Sequence, residues 1–76
     1  MDYRDAALSV IERISKVDVA KITPEMELVG DLGFDSARAL ELLVALEDLF
    51  GIEIEDEQAA GLNTVGDILG YLEAAV

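Results

Sequence analysis

Apolar positions recur at helical spacing in three stretches of the chain and lose that rhythm between them. The first stretch, about residues 2–16, places Ala7, Ile11 and Ile14 on one face and predicts an amphipathic helix. "VDVAKITPEMELVGDLGF" then breaks the period. Pro24 lacks a backbone donor, and Gly30 and Gly33 permit backbone conformations that helices do not use. Residues 17–34 therefore read as one long loop, with Ile22, Leu28, Leu32 and Phe34 as anchors that pin it to the core. Helical spacing resumes over residues 36–50 and stops at Gly51, a favoured helix terminator.

"IEIEDEQAAG" begins with strand-like alternation, but a single strand has no partner in the chain. We read it as an extended connector leading into a short helix, about residues 56–60, closed by Gly61. The last helix is announced by Thr64 and Asp67 at capping-box spacing, with Val65, Ile68, Leu69 and Leu72 as its buried stripe. The expected fold is all-α: a small four-helix bundle with three longer helices, one short helix and a long loop between the first and second helices. One domain spans residues 1–76.

The second helix carries more apolar surface than such a bundle can bury. At about 100° per residue, Ala39, Leu42, Leu43, Leu46, Leu49 and Phe50 fall on one arc and face the core. Ser36, Ala37, Leu40, Glu41, Val44, Glu47 and Asp48 lie on the other side. Leu40 and Val44 are thus expected to be at least partly exposed within a rim of carboxylates. Scattered exposed aliphatics are common. A small apolar centre rimmed by acids also suits docking to a basic partner.

Charge sharpens that choice. The net charge is −12, and after Arg38 there is no Lys or Arg at all. A phosphate backbone would be repelled, so nucleic-acid binding is not expected. There is no cysteine, so disulfides and thiolate metal sites are excluded. The first residues lack a basic segment followed by a long apolar run, and no stretch approaches a membrane span. A cytoplasmic monomer is expected.

"GFDSARALE" places Ser36 at the entrance of the second helix. Asp35 is a good N-cap and explains the pair structurally. Ser36 as a nucleophile would need a base, and the chain has no histidine. Asp35 and Ala37 frame the serine without the second glycine of a hydrolase elbow, and Asp31, Gly33 and Asp35 lack the spacing of a calcium loop. Self-contained catalysis is not expected.

The stretch "DLGFDSARALELLVALEDLFGIEIEDEQAAGLNTVGDIL" resembles the acyl carrier proteins. The resemblance rests on the Asp-Ser pair at the helix start, on Glu41, Leu42, Leu46 and Glu47 at matching intervals, on Phe50, Ile52 and Ile54, and on the acidic short helix. It extends in order over essentially the whole chain. It implies that Ser36 is the attachment point for 4′-phosphopantetheine, supplied from coenzyme A by a separate phosphopantetheinyl transferase. The arm's thiol would then hold an acyl or polyketide-type group as a thioester. Asp35 would serve as the adjacent motif acid and helix cap. Ala37, Arg38, Leu40, Glu41, Val44, Glu47, Asp48, Glu53 and Asp56 would form the partner face. The partners implied are acyl-transferring, condensing or adenylating enzymes with basic patches. An aminoacyl or peptidyl carrier, and an unmodified acidic interaction module, are the alternatives.

The sequence departs from the family at two positions: Ala37 where Leu is usual, and Arg38 where acids are frequent. These point to a dedicated set of partners. The resemblance also implies a shelter for the cargo near Leu46, Ile54, Ala59, Leu62 and Ile68.

Overall fold

The computed structural model describes residues 2–75. Helix α1 spans Tyr3–Ser15, α2 Ser36–Phe50, α3 Asp56–Ala59 and α4 Val65–Ala75. The all-α bundle with three longer helices and one short one is as expected. Each boundary has a local cause. Asp2 caps α1 by accepting a hydrogen bond from the Arg4 amide, and Lys16 ends the helix in the left-handed region (φ 66°) with its N–H donating to the Glu12 carbonyl. Gly51 ends α2 in the same conformation (φ 65°), which costs glycine nothing.

The long loop contains one element the periodicity does not show, a 3₁₀ turn at Val19–Lys21. Asp18 caps it by accepting from the Ala20 amide, and the Glu12 carboxylate reaches from α1 to accept from the Val19 amide at 2.9 Å. Beyond it, the loop is tied to the start of α4. The Leu28 amide donates to the Asn63 carbonyl, Val65 to Met26 and Gly66 to Pro24, at 2.8–3.0 Å. A single bridge pairs Glu27 with Thr64. Glycine at 66 eases this approach, because a Cβ there would lie 3.0 Å from the Pro24 carbonyl oxygen, which would have to give by a few tenths of an ångström.

Helix α1 packs against both α2 and α4. The core unites Ala7, Ile11 and Ile14 of α1, Leu42 and Leu46 of α2, and Val65, Ile68 and Leu72 of α4. All four expected loop anchors, Ile22, Leu28, Leu32 and Phe34, are buried in it. Each fully buried Leu or Ile contributes about 1.5–3 kcal/mol of apolar burial. Anchoring thus adds to the loop's own turn hydrogen bonds, such as those from the Leu32 amide to Glu27 and from the Phe34 amide to Leu28. Asp67 completes the junction: its carboxylate accepts from the amides of Asn63 and Thr64, while its own amide donates to the Thr64 hydroxyl. That is the reciprocal cap expected from the spacing.

Candidate functional site

The entrance of α2 is set by the last turn of the loop. The Phe34 amide donates to the Leu28 carbonyl at 2.9 Å, and Gly33 takes the left-handed conformation (φ 71°) that this turn requires. Phe34 is buried, so the next residue emerges at the surface from a fixed point. Asp35 is the N-cap, its carboxylate accepting from the Arg38 amide at 2.8 Å. Ser36 follows as the first helical residue and is exposed.

This geometry suits an anion on the serine oxygen. The first amides of a helix lack intrahelical acceptors, and the dipole places partial positive charge there. Asp35 takes up the Arg38 amide and leaves those of the residues before it. The small side chain of Ala37 leaves the approach to Ser36 open. Among the described residues, no group of three or more His, Cys, Asp or Glu side chains converges to hold a metal ion.

Leu40 and Val44 are 62% and 46% exposed, as the two-faced pattern of α2 requires. Ala37, Arg38, Glu41 and Asp48 are exposed beside them, and Glu53 and Asp56 lie exposed on the connector and α3. Glu47 is different. It is half-buried, and its carboxylate accepts from the Ile54 amide at 2.8 Å, tying the connector to α2. The Tyr71 hydroxyl fixes the same connector from the other side, sharing its single proton between the Gln58 side chain (3.0 Å) and the Glu53 carbonyl (3.3 Å).

Leu49 also departs from expectation. Its azimuth points toward the core, yet it is 51% exposed. It lies at the edge of the core-facing arc, on the strip it shares with Arg38 and Ala45. With Val10 and Arg13 of α1 it lines an open groove of about 930 Å³ that runs along α2 past Arg38, Glu41, Val44, Ala45 and Asp48. The contribution of α1 to this surface is absent from the sequence reading. Of the expected cargo-shelter residues, Leu46 and Ile68 are fully buried, Ile54 and Leu62 are half-buried against the same core, and Ala59 is half-buried on α3.

Comparison with known proteins decides the family. Residues 5–72 match the family model described as "Phosphopantetheine attachment site". The acyl carrier protein of Helicobacter pylori (strain G27) is 46% identical over 71 residues, 93% of this chain and 90% of the relative. The chain belongs to the acyl carrier protein family. A meromycolate extension acyl carrier protein of Mycobacterium bovis is 42% identical over 64 residues, covering 84% of this chain and 56% of that longer protein. A solved structure from Mycobacterium tuberculosis, described as an acyl carrier protein, superposes with a TM-score of 0.91 at 36% identity, over 99% of this chain and all of that one. As a family member the chain is a non-catalytic carrier with a covalently attached 4′-phosphopantetheine. Its thiol supplies what a chain without cysteine lacks. Among the described residues, no helix is long and apolar enough to cross a membrane.

Proposed function

We propose that Ser36 is the hydroxyl that bears the arm, and that the chain carries an acyl or polyketide-type group as a thioester between enzymes. The observation that carries this reading is the placement of Ser36: exposed, at the positive end of α2, and presented by the Gly33–Phe34–Asp35 turn. Attachment forms a phosphodiester as the serine oxygen displaces the nucleotide half of coenzyme A. The proton leaves to a base of the transferase, so the chain needs no base of its own. The names of both curated relatives refer to acyl cargo, which supports an acyl over an aminoacyl group.

Asp35, Ala37, Arg38, Leu40, Glu41, Val44 and Asp48 form the face that meets the transferase and the acyl-handling enzymes, with Glu53 and Asp56 at its far end. A tethered thiol raises the effective concentration of cargo at a docked enzyme to about millimolar. Affinity for each partner can therefore stay low, which allows exchange between several. Incubation with coenzyme A and a broad-specificity phosphopantetheinyl transferase tests the reading. Intact mass should rise by one phosphopantetheine in the wild-type chain and stay unchanged in Ser36→Ala. Equal gain in both would overturn it.

A further inference from the structure

The face of α2 turned toward partners is not uniformly acidic. Arg38, Ala45 and Leu49 stand at i, i+7 and i+11, so they form one strip along the helix. Val10 and Arg13 of α1 line the same groove, which places that strip against α1 and adds a second cation beside it. The next strip outward carries Glu41 and Asp48. Beyond it stands the aliphatic crest of Leu40 and Val44. A docking surface thus meets a cationic edge over an apolar floor, then an acidic row, then exposed aliphatics.

The chain has only five basic residues against seventeen acidic ones, so two cations on one groove call for a reason. Arg13 has a local one. It lies in the last turn of α1, where the helix dipole favours a cation. Arg38 has none of that kind: it lies in the first turn of α2, where the dipole disfavours positive charge. Residues that break a local stability rule are expected where function requires them.

We propose that the groove between α1 and α2 docks an amphipathic helix of a partner enzyme, one that sets a basic row over Glu41 and Asp48 and a carboxylate-bearing row over Arg38 and Arg13. The proposal rests on the carrier reading and extends it by fixing the sign of charge that each row of the partner must show. The groove follows α2 from residue 38 to 49, about 16 Å or three helical turns, which matches a partner helix of similar length. A uniformly basic surface would be repelled at Arg38 and Arg13. The edge therefore discriminates by rejecting wrong partners as well as attracting the right one.

Two synthetic amphipathic helical peptides test this on the full chain bearing its arm. They share one leucine stripe; one has a lysine row and a glutamate row flanking it, the other lysine on both sides. Binding is followed by amide chemical shifts of nitrogen-15-labelled protein at low salt. The mixed-charge peptide should bind about tenfold more tightly, the scale expected of two exposed ion pairs gained and two repulsions avoided. Its shifts should centre on Val10, Arg13, Arg38, Ala45 and Leu49. In Arg13→Glu/Arg38→Glu the preference should invert, and in Arg38→Gln it should shrink to about threefold. Circular dichroism establishes that each variant is folded.

Equal binding of the two peptides, no binding of either at millimolar concentration, or shifts centred elsewhere would overturn the proposal. So would a preference that survives the double charge reversal. Concentration-dependent shifts of the groove without peptide would assign it to a second copy of the chain and overturn the proposal equally. Failure of the peptides on a chain that takes up its arm refutes this proposal alone, whereas failure of the mass gain refutes the carrier reading.

Discussion

Replacing Glu47 with alanine separates two roles that a carboxylate on α2 can have. Its side chain accepts from the half-buried Ile54 amide at 2.8 Å, while Asp48 beside it is exposed to solvent. A hydrogen bond to a charged acceptor contributes about 1.5–3 kcal/mol, and partial exposure of the Ile54 amide puts this one at the lower end. The variant should therefore lose about 1.5 kcal/mol. In a domain of this size that lowers the melting temperature by about 6–12 °C. Alanine is the better helix former, so the loss cannot come from propensity. Glu47→Gln keeps an acceptor oxygen and should lose about half as much. Asp48→Ala should change stability by less than about 0.5 kcal/mol. Urea and thermal unfolding followed by circular dichroism measure all three. Glu47→Ala unfolding with Asp48→Ala at the wild-type midpoint, or Glu47→Gln losing as much as Glu47→Ala, would refute the acceptor role.

Lys16 holds a left-handed conformation at the end of α1 that glycine adopts without strain, so Lys16→Gly should raise stability by about 0.5–1 kcal/mol in urea unfolding. Asp67 is held below the ordinary aspartate value of 3.8, first by the hydrogen bond from the Asn63 amide, then by those of Thr64, with burial opposing. Because its pKa is lower folded than unfolded, its contribution is complete above the unfolded value and fades as pH falls through the folded one. Asp67→Asn should therefore be less stable than wild type near neutral pH, and the gap should close in urea unfolding below about pH 4. An acyl group that enters the core by parting Ile54, Ala59 and Leu62 should raise the melting temperature above that of the unacylated carrier by at least about 4 °C. Equal melting temperatures would place the cargo outside.

The helices were legible because their apolar residues keep a 3.6-residue period, and the loop anchors because Ile22, Leu28, Leu32 and Phe34 stand out in a segment broken by Pro24 and two glycines. The 3₁₀ turn was not: three residues are too few to show a period, and its cap, Asp18, reads equally well as a loop acid. Leu49 sits at the edge of the core-facing arc, where the period alone does not decide whether α1 covers it. Glu47 fell on the outer face of α2, but the Ile54 amide that it serves is seven residues away in a connector whose path the pattern leaves open. Arg13 and Arg38 are twenty-five positions apart in the chain and share a groove only through the packing of α1 on α2. Ser36 stood out for the opposite reason: its motif and its helix entrance are contiguous in sequence.

In the proposed function one particular oxygen bears the arm that holds the cargo. The chain offers other aliphatic hydroxyls at Ser9, Ser15, Thr23 and Thr64. Ser15 is buried and accepts from the Val17 amide, Thr64 accepts from the Asp67 amide, and Ser9 and Thr23 are exposed but lie within α1 and the loop, whereas Ser36 is exposed at the head of α2. Fragmentation mass spectrometry of the chain after transfer from coenzyme A locates the arm directly. Phosphopantetheine is expected on Ser36 and on no other residue; an arm on any other hydroxyl would refute the assignment.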